Sequence, residues 1–223
     1  MKEIRIRFKK IGRAKYISHL DLTRTMIRAV RRAGIPVWYT EGFNRHPYVT
    51  FAAPLSLGFE GLNECMDTRL VEDMPMEEMV TRLNSVLPEG IEVIKASDPV
   101  MKPGDIAFAQ YRLSFLKGKF KGIEGNIREF LARDSILVEK KTKKGDSKKI
   151  DLMPLLEKAA IETGDSAVML EVTLPCSSTE TVNPGLISAA LNDFLTEKYG
   201  GENTLFCDIT RRDLLNAEGL PFE

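Results

Sequence analysis

A chain of 223 residues, 43% hydrophobic and 29% charged, has the makeup of a soluble globular protein with one large core or two small ones. Its apolar runs are far too short to span a bilayer. The three scattered cysteines (Cys65, Cys176, Cys207) and two histidines argue against a disulfide framework or an intrinsic structural zinc site.

Formal net charge is zero, but the total conceals blocks: +9 over residues 1–50, −7 over 51–110, +7 over 111–149 and −9 over 150–223. Either the basic blocks pool into one electropositive face that attracts phosphate, or each neutralises its acidic neighbour. The start, MKEIRIRFKK, alternates charged and apolar residues and lacks the apolar core of a signal peptide, which predicts a cytoplasmic protein.

In chain order, KEIRIRFK (2–9) predicts a half-buried strand with Ile4, Ile6 and Phe8 inward and Glu3, Arg5 and Arg7 outward. Ser18, with Asp21 three positions on, reads as the N-cap of a helix that Gly34 and Pro36 stop. Leu22, Met26, Ala29, Val30 and Ala33 share one side of it. Arg24, Arg28 and Arg31 lie opposite, with Arg32 at the margin. VWYT (37–40) predicts a short strand and EGFNRHP (41–47) a turn-rich loop. Two strands, 48–58 and 64–72, flank a Gly/Asn turn. Pro75 opens a helix with an acidic first turn, and 91–99 is a strand.

The second half repeats the theme. Strand 105–116 and an amphipathic helix at 123–134 come first. Strand 135–141 then enters a lysine-rich hairpin tipped by KGD (144–146). A short helix within 151–162, a strand at 166–175, a helix at 183–200, a strand at 204–212 and a polar tail complete the chain. The order suggests an α+β protein of two ferredoxin-like βαββαβ halves, 1–102 and 103–223, with helices packed on antiparallel sheet. One continuous sheet with helices on one face is the alternative.

The stretch Tyr16–Gly58 holds both histidines, the single tryptophan and the arginine stripe. Arg24, Arg28 and Arg31 have the fork geometry that suits successive phosphates, or they form a solvated helix face. Asn44 and Arg45 in the loop favour an anion site. Tyr39, Phe43 and Tyr48 either stack on bases or pack at strand spacing, while Trp38 is assigned to the core. His19 and His46 are candidate acid/base groups, or hydrogen-bonding structural residues. Gly42, Gly58 and Gly61 are assigned to turns of positive φ. The Lys140–Lys149 block is a solvated hairpin or a scanner of RNA or acidic protein surface. Cys207 and Asp208 line a cleft, or Cys207 is a buried structural thiol.

The pattern SHLDL (18–22), RRAGIP (31–36), GFNRHP (42–47) and PLSLG (54–58) resembles a bacterial family described as radical-SAM-linked. Its members occur beside, or fused to the end of, a radical SAM protein. The resemblance implies association with a radical SAM enzyme and little about mechanism. This chain has no CxxxCxxC, so the radical chemistry would belong to the partner and no cofactor is expected here. Residues 76–99 are similar to a helix–strand segment of tRNA pseudouridine synthase A. The aspartate of that family's GRTDAGVH motif has no counterpart, so pseudouridine synthesis is not expected. RRAGIP and GFN are similar to CRISPR RNA-processing endoribonucleases, which are duplicated ferredoxin-like proteins, although their glycine-rich loop is not evident. Both likenesses point towards RNA by fold-level analogy.

The leading expectation is an accessory module, without catalysis of its own, that binds RNA or another anionic substrate for a radical SAM enzyme. A metal-independent ribonuclease using His19 and His46 is the second, and a structural adaptor for the radical SAM protein the third.

Overall fold

A computed structural model describes residues 1–117, 122–141, 147–200 and 205–223. The fold is α+β, with helices against largely antiparallel sheet. The chain forms two compact units, Met1–Phe108 with Thr210–Glu223, and Ala109–Ile209.

In the first unit, β1 (Lys2–Lys10) leads through a 3-10 turn at Gly12–Tyr16 into α1 (His19–Arg32), then β2 (Thr50–Phe51), β3 (Glu60–Leu70), α2 (Met76–Asn84) and β4 (Ile91–Ser97). β1 is antiparallel to β3, pairing Ile6 with Met66, and to β4, pairing Ile6 with Ala96. β2 is antiparallel to β3 through Phe51 and Met66, so the order is β4-β1-β3-β2. Part of β10 (Cys207–Leu215) runs parallel to the start of β3, with Thr210 opposite Glu60 and Arg211 opposite Gly61.

Period-2 alternation puts Ile4, Ile6 and Phe8 on one face of β1, where they are fully buried. The 3.6-residue period of α1 brings Leu22, Met26, Ala29 and Val30 down onto them. The Ser18 hydroxyl accepts the Asp21 amide at 3.1 Å and donates to the Asp21 carboxylate at 2.7 Å, fixing where α1 begins. Met79 and Leu83 of α2 complete the same core.

The opposite face of β1 corrects the sequence expectation. Arg5 and Arg7 are buried, because the C-terminal segment covers them. Arg5 donates from Nε and Nη2 to Asp67, both at 2.8 Å, and its guanidinium lies 4.0 Å from the centroid of the Phe222 ring. Arg7 donates to the Phe222 carbonyl. The tail is therefore not simply polar, since Phe222 has no exposed surface. Burying guanidinium groups is tolerable only with such partners.

The segment 37–40 is not a strand. Val37 and Tyr39 make isolated bridges to Leu70 and Pro47, and Pro36 and Pro47 lack the amides a ladder needs. Within 48–58 only Thr50–Phe51 pairs, whereas β3 begins earlier than expected and takes in the supposed turn at Gly61–Asn63. Gly61 is consequently needed for space. It has no positive φ, and a Cβ there would overlap the Glu64 carboxylate.

In the second unit, β5 (Phe108–Leu116) precedes α3 (Ile123–Leu131), the hairpin β6 (Leu137–Lys141) and β7 (Ser147–Asp151), α4 (Met153–Leu156), β8 (Ala160–Thr163), β9 (Ala167–Pro175) and α5 (Gly185–Tyr199). The strand order is β5-β9-β8, with β6-β7 a separate two-stranded sheet. The KGD tip lies outside the described residues. The helix expected within 151–162 stops at Leu156, and 160–163 is a strand because it pairs with β9, Ile161 opposite Leu170. Asn126, buried on α3, accepts from Lys198 Nζ at 3.0 Å and Tyr199 Oη at 2.8 Å, joining α3 to α5.

Candidate anion-binding surface

The exposed side of α1 and the loop that follows it supply the candidate surface. Arg24, Arg28 and Arg31 recur at helical spacing and are all exposed, as are Phe43, Asn44 and Arg45 of the loop. Arg24 is paired with Asp21 at 3.3 Å, one turn away. The Ser18 hydroxyl above all, and then the Arg24 and Arg28 charges, hold the Asp21 carboxyl below the usual aspartate range.

The loop is pinched at its base. The Thr40 amide donates to the His46 carbonyl at 2.9 Å, and the His46 amide to the Thr40 hydroxyl at 3.3 Å. Gly42, at φ 108°, supplies a backbone conformation that side-chain-bearing residues avoid. The tip thereby projects Phe43, whose relative exposure of 109% leaves the ring wholly in solvent.

Arg31 ties helix to loop. Its Nη2 donates to the Arg45 carbonyl at 3.3 Å, and its guanidinium lies 5.6 Å from the Tyr39 ring centroid. The structure thus brings together Arg31, Tyr39 and Arg45, with Phe43 and Asn44 beside them in sequence. Guanidinium groups and aromatic rings presented to solvent in one place can grip phosphate and stack on flat rings.

The two histidines behave differently. His19, the first residue of α1, is exposed and packs edge-on to Phe51, ring centroids 5.1 Å apart. His46 has Nδ1 3.0 Å from the Pro47 carbonyl. A carbonyl can only accept, so that contact puts a proton on Nδ1 and leaves Nε2 as the basic nitrogen of the neutral ring. Among the described residues no hydrogen bond or ring contact joins the two, and no group of three or more His, Cys, Asp and Glu is placed to hold a metal.

Trp38 is half-buried, a correction to its assignment to the core. It lies against Tyr48, and Arg69 sits over both rings, 4.7 Å from Tyr48 and 5.8 Å from Trp38, while pairing with Glu3 at 3.0 Å. Arg69 was not among the sequence candidates. Only the pairing of Trp38 with the Arg69 carbonyl, at 2.7 Å, reveals it. Burial pushes the Cys65 thiol up to about 11 and the Cys207 thiol up to about 12, both poor nucleophiles at neutral pH.

Fold and surface together define an α+β protein of two compact units, the first bearing an exposed arginine-and-aromatic surface. No helix among the described residues is long and apolar enough to cross a membrane. Residues 3–184 match the family described as an uncharacterized protein conserved in bacteria (DUF2344), and the chain belongs to that family. No curated protein matches it.

Proposed function

We propose that this protein is an accessory binding module that holds RNA, or another phosphate-bearing substrate, for a radical SAM enzyme. The observation that carries this reading is the double contact of Arg31 with the Arg45 carbonyl and the Tyr39 ring, which makes one surface of helix stripe and loop. Phosphate contacts from the arginines would supply affinity, and Phe43 with Tyr39 would supply stacking. The partner is taken from the family resemblance, and the chemistry is placed there because this chain has no CxxxCxxC. We also read both units as ferredoxin-like. The order β4-β1-β3-β2 in the first and β5-β9-β8 in the second support that reading.

The test is fluorescence anisotropy with a labelled single-stranded RNA over a range of salt concentrations. Binding should weaken with salt. The combined replacement of Arg24, Arg28 and Arg45 by alanine should lower the log–log slope by about 0.7 for each phosphate that is no longer neutralised. Unchanged affinity and slope in that variant would discard the proposal. Cleavage of the RNA by the parent, abolished in His46→Ala, would replace it with the nuclease reading.

A further inference from the structure

We propose that the groove between β6 and α5 in the second unit is a docking site for an extended, lysine- or arginine-bearing peptide segment of a protein partner, which adds to β6 as a third strand. The groove is a cavity of about 490 Å³, within the size range of ligand pockets. Every residue from Ser135 to Glu139 lines it. A strand facing a cavity with one face would contribute alternate residues, whereas an uninterrupted run is what an edge contributes.

β6 pairs with β7 in a sheet of those two strands, so one edge of β6 lacks a strand neighbour among the described residues. Proteins usually protect such an edge with charge, proline or a bulge. Here the charges Glu139, Lys140 and Lys141 fall in the second part of β6, whereas its first two residues, Leu137 and Val138, are apolar and Leu137 is 65% exposed. The facing wall is apolar too, formed by Leu186, Ala190 and Phe194 of α5. Small Ala190 leaves the room that a neighbouring strand's side chains need.

The charges choose the occupant. Among the described residues, Glu139, Asp193 and Glu197 line the groove against one cation, Arg133, which lies 5.6 Å from the Phe194 ring centroid. Excess carboxylate repels phosphate and attracts cationic side chains. An added strand presents alternate side chains to opposite sides, so an apolar/basic alternation puts its apolar set into the groove and its basic set along the carboxylates. This site is separate from the arginine surface of the first unit and does not depend on it.

The experiment uses the full chain and a fluorescein-labelled synthetic peptide of alternating valine and lysine. Its controls are a valine/glutamate peptide and a valine/lysine peptide with a central proline. The lysine peptide should bind at least about tenfold more tightly than either control, because proline removes a ladder donor and glutamate reverses the charge. Ala190→Trp, which fills the groove, and Glu197→Lys, on the exposed side of α5, should each weaken binding at least about fivefold. If Ala190→Trp does not fold, Glu197→Lys decides, since it replaces an exposed side chain. Equal binding of the glutamate or proline peptide would overturn the proposal, as would full affinity in Glu197→Lys. Displacement by single-stranded RNA through this groove, or a concentration-dependent dimer abolished by Ala190→Trp, would give it another occupant and also overturn it.

Discussion

Arg211 on β10 and Glu64 on β3, 147 positions apart, form a buried ion pair in which Arg211 Nε lies 2.9 Å from Glu64 Oε1. The remaining guanidinium donors reach the Ala53 carbonyl at 2.8 Å and the Pro54 carbonyl at 3.2 Å. One side chain from the end of the chain thus holds the segment after β2 and the start of β3. Lys10 is buried in the same neighbourhood, its amine donating to the Lys15 carbonyl at 3.3 Å and feeling the Glu64 charge.

Removing one partner of this pair should be severe. Glu64→Gln leaves the Arg211 and Lys10 charges without a buried anion, and breaking such a pair typically costs about 3–5 kcal/mol. Urea unfolding followed by Trp38 fluorescence should show a much lower midpoint. A midpoint equal to that of the parent would mean that solvent, not Glu64, neutralises these cations. A triple replacement of Glu64, Arg211 and Lys10 by apolar residues should be far milder, because no charge of this cluster is then left buried.

The Lys10 amine titrates in the direction opposite to a lysine that gains a partner. Burial holds it below its ordinary 10.5, against the raising effect of Glu64 and with the help of Arg211. Between the folded value and 10.5 the unfolded chain binds more protons, so this group's contribution to stability rises with pH. The advantage of Lys10→Met over the parent should therefore shrink as pH climbs towards 10.5 and be constant below the window. Denaturation series at several pH values measure it, and a gap that does not change with alkaline pH would contradict the burial of the amine.

The thiols offer a clean probe of folding. With Cys65 raised to about 11 and Cys207 to about 12 by burial, neither is appreciably ionised at neutral pH. Cys65, the buried one of the three free thiols, should react with a disulfide reagent only as the protein unfolds, following the urea transition in a variant with Cys176 and Cys207 replaced by serine. Fast labelling of Cys65 under native conditions would show that β3 opens locally.

Phe43 should matter to binding and hardly at all to stability. Its ring touches solvent on all sides, so Phe43→Ala should leave the protein within about 0.5 kcal/mol of the parent's stability. If a base stacks on it, the same change should weaken single-stranded RNA binding by about 1–3 kcal/mol. Duplex RNA, whose bases are not available for stacking, should bind the two proteins alike. Equal weakening for both forms would reduce the contact to electrostatics.

The fate of each element depends on where its determining contacts lie. Short-range pattern was enough for β1, α1 with its Ser18 cap, α2, β9 and α5, because alternate burial and helical periodicity are written within a few neighbouring residues. It was also enough for the arginine stripe of α1. Arg5 and Arg7 turn inward for a reason that pattern does not hold, since what covers them is Phe222, more than two hundred positions away. The same is true of 160–163, a strand because β9 lies beside it, and of 37–40, which fails as a strand for want of a continuous partner. Arg31 meeting Arg45 and Tyr39 was likewise invisible to spacing, because a loop's return path is fixed by its own pinch, Thr40 to His46, and not by periodicity. Local periods fix which residues can share a face; long-range packing decides what that face meets.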